Sequence, residues 1–139
     1  WAVWDARKVL VEGKPGVPYP IGLWTPGSEG ATANRGGAEN FIALRYDGGA
    51  LWAVLSPPPG GRTRVWVLND EKWLPAVTLG DDAMLDERGA SYLDVSEPRA
   101  YAVCRASPGE HVVKLSPADP GVVFHALIVE PPPAGTTSR

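Results

Sequence analysis

The 139-residue chain has one cysteine and two histidines, and its apolar runs fall well short of the roughly 20 residues a membrane-spanning helix needs. Cys104 on its own forms no internal disulfide and no Cys-x-x-Cys redox pair. It reads as a small buried hydrophobe. Its 13 basic and 16 acidic residues are mixed along the chain, for a net charge of −3. No basic run marks a nucleic-acid footprint or a polybasic membrane-surface patch. There is no Gly-x-Ser-x-Gly for a hydroxyl nucleophile, and Gly36-Gly37 and Gly60-Gly61 precede strand-like runs rather than helices, so no phosphate loop is present. His111, His125 and Cys104 fall in separate runs, too few and too scattered for a zinc site. Asp81, Asp82, Asp86 and Glu87 crowd one loop without EF-hand spacing and read as a solvated acidic turn. Glu39, Asp70 and Glu97 carry no mark of a glycosidase pair. The expectation is a protein that is not an enzyme, with no cofactor and no metal.

What is abundant is glycine (16), proline (15) and tryptophan (6). Gly and Pro together have nearly twice their average share, so regular elements are short and turns are many. The stretch 12–39 holds Pro15, Pro18, Pro20 and Pro26 and no sustained period. It reads as an extended Pro/Gly-rich N-terminal arm over residues 1–40, pinned by Ile21, Leu23 and Trp24, with Trp1 and Trp4 in an edge strand or a neighbour anchor. From Phe41 the pattern becomes strand, turn, strand. Asp47-Gly48-Gly49 signals a hairpin between apolar runs. Residues 50–56 are apolar on both faces, which places Trp52 in the core. Residues 62–68 alternate, and 72–78 form an edge run because Pro75 lacks a ladder N–H. Four further runs follow to 129. The predicted fold is all-β, an antiparallel two-sheet sandwich over 41–130, with a disordered tail at 131–139.

Alternation also sorts faces. Thr63, Val65 and Val67 point one way; Arg62, Arg64 and Trp66 point the other. With the valines in the core, Trp66 faces outward beside two guanidinium groups. Trp73, near Pro75 on the edge run, is a second exposed aromatic. Candidate ligand- or partner-binding residues are therefore Trp66, Trp73, Arg62 and Arg64, with Trp24 of the arm. Cys104 falls with Ala100 and Ala102 on a small-residue face, and Arg99 and Tyr101 share a face as a hydrogen-bonded pair.

Residues 80–130 resemble the C-terminal domain of DipZ-type thiol:disulfide interchange proteins. The resemblance rests on Gly80 and Asp82 ahead of Tyr92, Val95, Pro98, Arg99 and Tyr101, then Gly109-Glu110-His111, then Asp119-Pro120-Gly121-Val122 before Phe124. Upstream, Leu23-Trp24 with Gly27 and Glu29 is similar to the family's Trp-x-x-Gly-x-Glu opening, and residues 42–55 to its arginine-bearing hairpin. The resemblance implies a jelly-roll-like sandwich similar to carbohydrate-binding modules, on the outer side of the cytoplasmic membrane. The family's thioredoxin domain and its reactive cysteines have no counterpart in this sequence, so thiol chemistry does not carry over.

Two functions follow. One is a non-catalytic extracytoplasmic module, periplasmic or at the cell surface, that binds a glycan or similar ligand. The other is a structural or docking accessory subunit of a larger protein assembly, whether membrane-bound or not. The first residue, Trp1 rather than Met, fits a processed exported chain or part of a longer one.

Overall fold

Among the described residues, twelve short strands account for the architecture, as the many turn residues require. The computed structural model describes residues 16–131. Trp1, Trp4 and, apart from Pro131, the tail expected to be disordered lie outside the described residues. The strands are β1 (Tyr19–Ile21), β2 (Trp24–Gly27), β3 (Gly30–Ala33), β4 (Phe41–Asp47), β5 (Ala50–Ser56), β6 (Thr63–Asn69), β7 (Lys72–Trp73), β8 (Ala83–Leu85), β9 (Ser91–Val95), β10 (Arg99–Cys104), β11 (Glu110–Pro117) and β12 (Val123–Glu130). The larger sheet runs β1-β4-β11-β6-β9-β8, with β7 attached to β6; the smaller runs β10-β5-β12-β3-β2.

The pairing is nested. β6 pairs β9, β5 pairs β10, β4 pairs β11 and β3 pairs β12, all antiparallel. The chain behaves as one long two-stranded ribbon rolled into two sheets, which is a jelly roll. Alternation then selects the core. Ile42, Leu44, Val65, Val67, Leu93, Val95, Val113 and Leu115 of the larger sheet are buried against Leu51, Ala53, Leu55, Tyr101, Val103 and Phe124 of the smaller. Each large side chain removed from water in this way contributes about 1.5–3 kcal/mol.

Several sequence expectations change in this arrangement. The Asp47-Gly48-Gly49 turn is real, but β4 and β5 lie in different sheets and form no hairpin. Rolling the ribbon sends the chain across the sandwich at that turn. The run 72–78 is a strand only through Trp73; Pro75, without an N–H, starts a 3-10 turn at Ala76–Thr78 instead. Trp52 is not in the core. It points outward from β5, half-buried, and its indole N–H donates to Glu130 at 3.2 Å. A bulge between Ala102 and Cys104 turns Cys104 inward, 3.4 Å from the Tyr46 hydroxyl. Burial first, then the facing thiol, pushes the Tyr46 hydroxyl far above its usual range, and burial raises the Cys104 thiol. The thiol is therefore inert packing. Arg99 and Tyr101 do meet, but as a cation over a ring at 3.9 Å rather than as a hydrogen-bonded pair.

The stretch read as an arm departs furthest from expectation. Its described part supplies β1 to the larger sheet and β2 and β3 to the smaller. Trp24 is 1% exposed, packs edge-on to Phe124 at 5.2 Å, and donates its indole N–H to Ile21 at 2.9 Å. It is a core residue, not a contact residue. Fully buried Asn40 fixes this region, accepting from the Leu23 N–H and donating to the Arg35 carbonyl.

Candidate functional site

The outer face of the larger sheet is set by the same alternation that builds the core. On β6, Arg64, Trp66 and Leu68 point away from the valines. The register places Trp66 opposite Tyr92 of β9 and Ser116 of β11, and Leu68 opposite Lys114 and Trp73. Phe41, Ala43 and Ile21 form a second apolar cluster on this face, with Tyr19 packed against it. The result is an open groove of about 390 Å³ whose walls include Phe41, Trp66, Leu68, Trp73, Arg88 and Lys114.

Trp66 and Trp73, each expected at the surface, meet here. Their ring centroids are 6.1 Å apart and their planes differ by 60°. Trp73 is 43% exposed, and Trp66 is half-buried between Trp73 and Tyr92. Short β7 is what brings Trp73 to this place. The turn at Asp70 and Glu71, both at positive φ (55° and 65°), folds it directly onto β6.

Arg64 joins the site, with its guanidinium 4.1 Å over Tyr92 and 5.6 Å from the Trp66 ring centre. Arg62 does not. It is ion-paired to Asp94 and lines a second depression, whose walls also include Arg64 and Tyr92, so Arg64 stands between the two. That pairing raises the Arg62 pKa, through the hydrogen bond first. The sequence reading missed Phe41, Tyr92, Arg88 and Lys114. Tyr92 was legible: in the run Ser91–Val95 it alternates with buried Leu93 and Val95. Lys114 lies 4.9 Å over Phe41 and is ion-paired to Glu71, a cross-strand meeting no local pattern announces.

The acidic loop is structural. Asp86 accepts from the Arg88 and Ala90 N–H groups at 2.8 and 2.9 Å, closing the β8–β9 turn. Asp82 accepts from the Ala102 N–H and from Arg99. Burial pushes the Asp82 carboxyl up, but those two donors outweigh it and hold it below its usual range. Among the described residues, no three His, Cys, Asp or Glu side chains converge as a metal site would require.

Both histidines are engaged. His111 Nδ1 lies 2.7 Å from Asp70, and its Nε2 faces the Ser107 and Pro108 carbonyls. Every hydrogen-bond partner of the ring is an acceptor, so the doubly protonated form is favoured, chiefly by Asp70, and the pKa is raised above 6.5. A group raised on folding stabilises below its unfolded pKa and loses that contribution as pH rises through the folded pKa. The thermal midpoint is therefore expected to fall by roughly 2–3 °C as pH rises from about 6 to 8, and Asp70→Asn to remove most of that slope. An unchanged slope in Asp70→Asn would show that other groups cause it.

His125 is arranged differently. Its Nδ1 donates to the Glu29 carbonyl and its Nε2 accepts from Ser56, both at 2.7 Å. This is the order of a hydroxyl nucleophile, its base and an orienting acceptor. Ser56, however, does not line the adjacent cleft, whose walls are Pro18, Pro20, Ile42, Phe124, His125 and Leu127 among others. The pair ties the tip of the β2–β3 hairpin to β12 and β5.

No protein-family model matches the chain, and no curated protein sequence does. Solved structures share its fold. One is a family two carbohydrate esterase from Clostridium thermocellum in complex with cellohexaose, with a TM-score of 0.57 and 14% identity over 81% of this chain. An active site mutant of a family two carbohydrate esterase from the same organism gives 0.55 and 15% over 82%. The chain spans 31% of each esterase chain.

Proposed function

We propose that this domain is a non-catalytic, extracytoplasmic glycan-binding module whose ligand lies along the Trp66–Trp73 groove. The observation that carries the reading is two partly exposed indoles sharing one groove with polar groups, Lys114, Arg88 and Ser116, at its walls. Sugar rings offer apolar faces that stack on indole and hydroxyl rims that take hydrogen bonds. The 60° between the rings makes a notch rather than a flat platform. A notch admits a single soluble chain and fits poorly against a flat crystalline surface. The fold shared with an esterase solved with cellohexaose supports the same direction.

Affinity electrophoresis against a panel of soluble polysaccharides tests the reading. At least one glycan is expected to retard the chain, and Trp66→Ala to weaken retention roughly tenfold, about the worth of one stacked ring. No retardation on any glycan, with Trp66→Ala running as the parent does, would remove the assignment.

A second reading, docking on a larger protein assembly, is favoured by another surface. Ile128 is 48% exposed on the outer face of the smaller sheet, directly opposite half-buried Trp52. Retention of the chain by a native membrane fraction, lost in Ile128→Asp and kept in Trp66→Ala, would move the assignment to this reading.

A further inference from the structure

The arginines divide in a way that bears on the groove. Among the described residues, Arg35, Arg45, Arg62, Arg99 and Arg105 each have a carboxylate within ion-pair distance. Arg64 and Arg88 have none there; Arg88 lines the aromatic groove, and Arg64 is beside it, stacked near the Trp66 ring. Arg88 is exposed on its wall, and Arg64 lies over the Trp66 and Tyr92 rings at its rim. Asp86, also on the groove wall, accepts from two backbone N–H groups and stays ionised, and both arginines favour its charge. Lys114 is matched by Glu71. Three cations, Arg64, Arg88 and Lys114, against two carboxylates, Asp86 and Glu71, leave the groove and its edge net positive, on a chain whose net charge is −3.

We infer that the groove selects an acidic glycan, one carrying uronic-acid carboxylates, with a sugar ring against Trp66 and Trp73 and a carboxylate taken by Arg64 and Arg88. The inference rests on the glycan-binding reading and names its substrate class. A planar guanidinium offers a carboxylate two parallel N–H donors, a charge-assisted match that a neutral hydroxyl does not give. Arg64 is suited to this because its stacking on two rings already limits its rotamers, so less freedom is lost on binding.

The test is calorimetry on the full chain with three probes: an oligogalacturonate, cellohexaose and a sulfated oligosaccharide, each at low (about 50 mM) and high (about 500 mM) salt. The oligogalacturonate is expected to bind roughly tenfold more tightly than cellohexaose at low salt, with the gap closing at high salt. Arg88→Gln, on an exposed turn, is expected to cost about fivefold for the uronate and less than about twofold for cellohexaose, since Gln keeps a hydrogen-bond donor. Arg64→Gln is expected to act likewise, with the thermal midpoint checked because its stem packs on two aromatics. Cellohexaose bound as tightly as the uronate, or a preference for the sulfated probe, overturns the inference and leaves the glycan-binding reading standing. Uronate affinity unmoved by both arginine substitutions also overturns it. If none of the three probes binds, the inference fails, and the polysaccharide panel then decides the wider reading.

Discussion

Trp24→Ala is expected to lower the thermal midpoint by on the order of 10–15 °C. The side chain is 1% exposed, packs against Phe124 at 5.2 Å and donates to Ile21. Truncating a buried tryptophan costs about 3–5 kcal/mol, because transfer energy is lost and the cavity collapses only in part. Against a total stability of about 5–15 kcal/mol, that is a large share. Trp24→Phe keeps most of the volume and is expected to lose less than half as much. Differential scanning calorimetry checks both. A midpoint within about 3 °C of the parent for Trp24→Ala would mean that the β2–β3 hairpin adds little to the roll and that Trp24 is better counted with the surface aromatics.

Gly30→Ala is the second large effect, and Gly27→Ala is its control. Gly30 has a φ of +145° and lies so close to β12 that a Cβ would sit 2.1 Å from the Phe124 carbonyl oxygen and 2.9 Å from the His125 Cα. Both neighbours are backbone and cannot swing aside. Alanine there meets strain from φ as well as from overlap, and β3 must lift from β12, at a cost of about 3 kcal/mol or more. The Glu29–His125–Ser56 tie lies on the same hairpin and is expected to open with it. At Gly27, directly across the hairpin, the nearest atom to a Cβ would be the Gly30 oxygen at an ordinary 3.6 Å. Hydrogen exchange should show faster exchange across β2 and β3 in Gly30→Ala and parent-like protection in Gly27→Ala. Equal protection in the two variants would count against the close packing of β3 on β12.

The two substitutions fall in the stretch whose sequence was hardest to read. Between 16 and 39 the strands are three or four residues long, interrupted by Pro20 and Pro26, and no two-residue period develops in so short a span. What makes this stretch part of the sandwich is pairing with β4 and β12, and β12 lies about ninety residues later. Trp52 shows the opposite failure. Its run is apolar on both faces, so alternation cannot choose which face goes inward, and only the sheet assignment of β5 does.

The site was partly legible for the same reason. Trp66 was placed correctly because Thr63, Val65 and Val67 fix the inward face of β6 beyond doubt. Trp73 was legible as an exposed aromatic, though not that β7 folds it beside Trp66. Arg62 and Arg64 share a face in the sequence, yet only Arg64 stacks beside a ring of the groove. Asp94, across the ladder on β9, holds Arg62 elsewhere, and Tyr92 and Trp66 hold Arg64 in place.

By itself the sequence determined that the protein is built of short antiparallel strands, because Gly and Pro forbid long elements and the period in its longer strands is two. It also determined which face of the best-patterned strands is buried. The tertiary structure decided which strands are neighbours, since that depends on how a ribbon closes over distances of up to about ninety residues. The pairing in turn decided that the described part of the stretch read as an arm belongs to the roll, that Trp24 lies in the core, and that Trp66, Trp73 and Arg88 share one groove with Arg64 stacked at its edge.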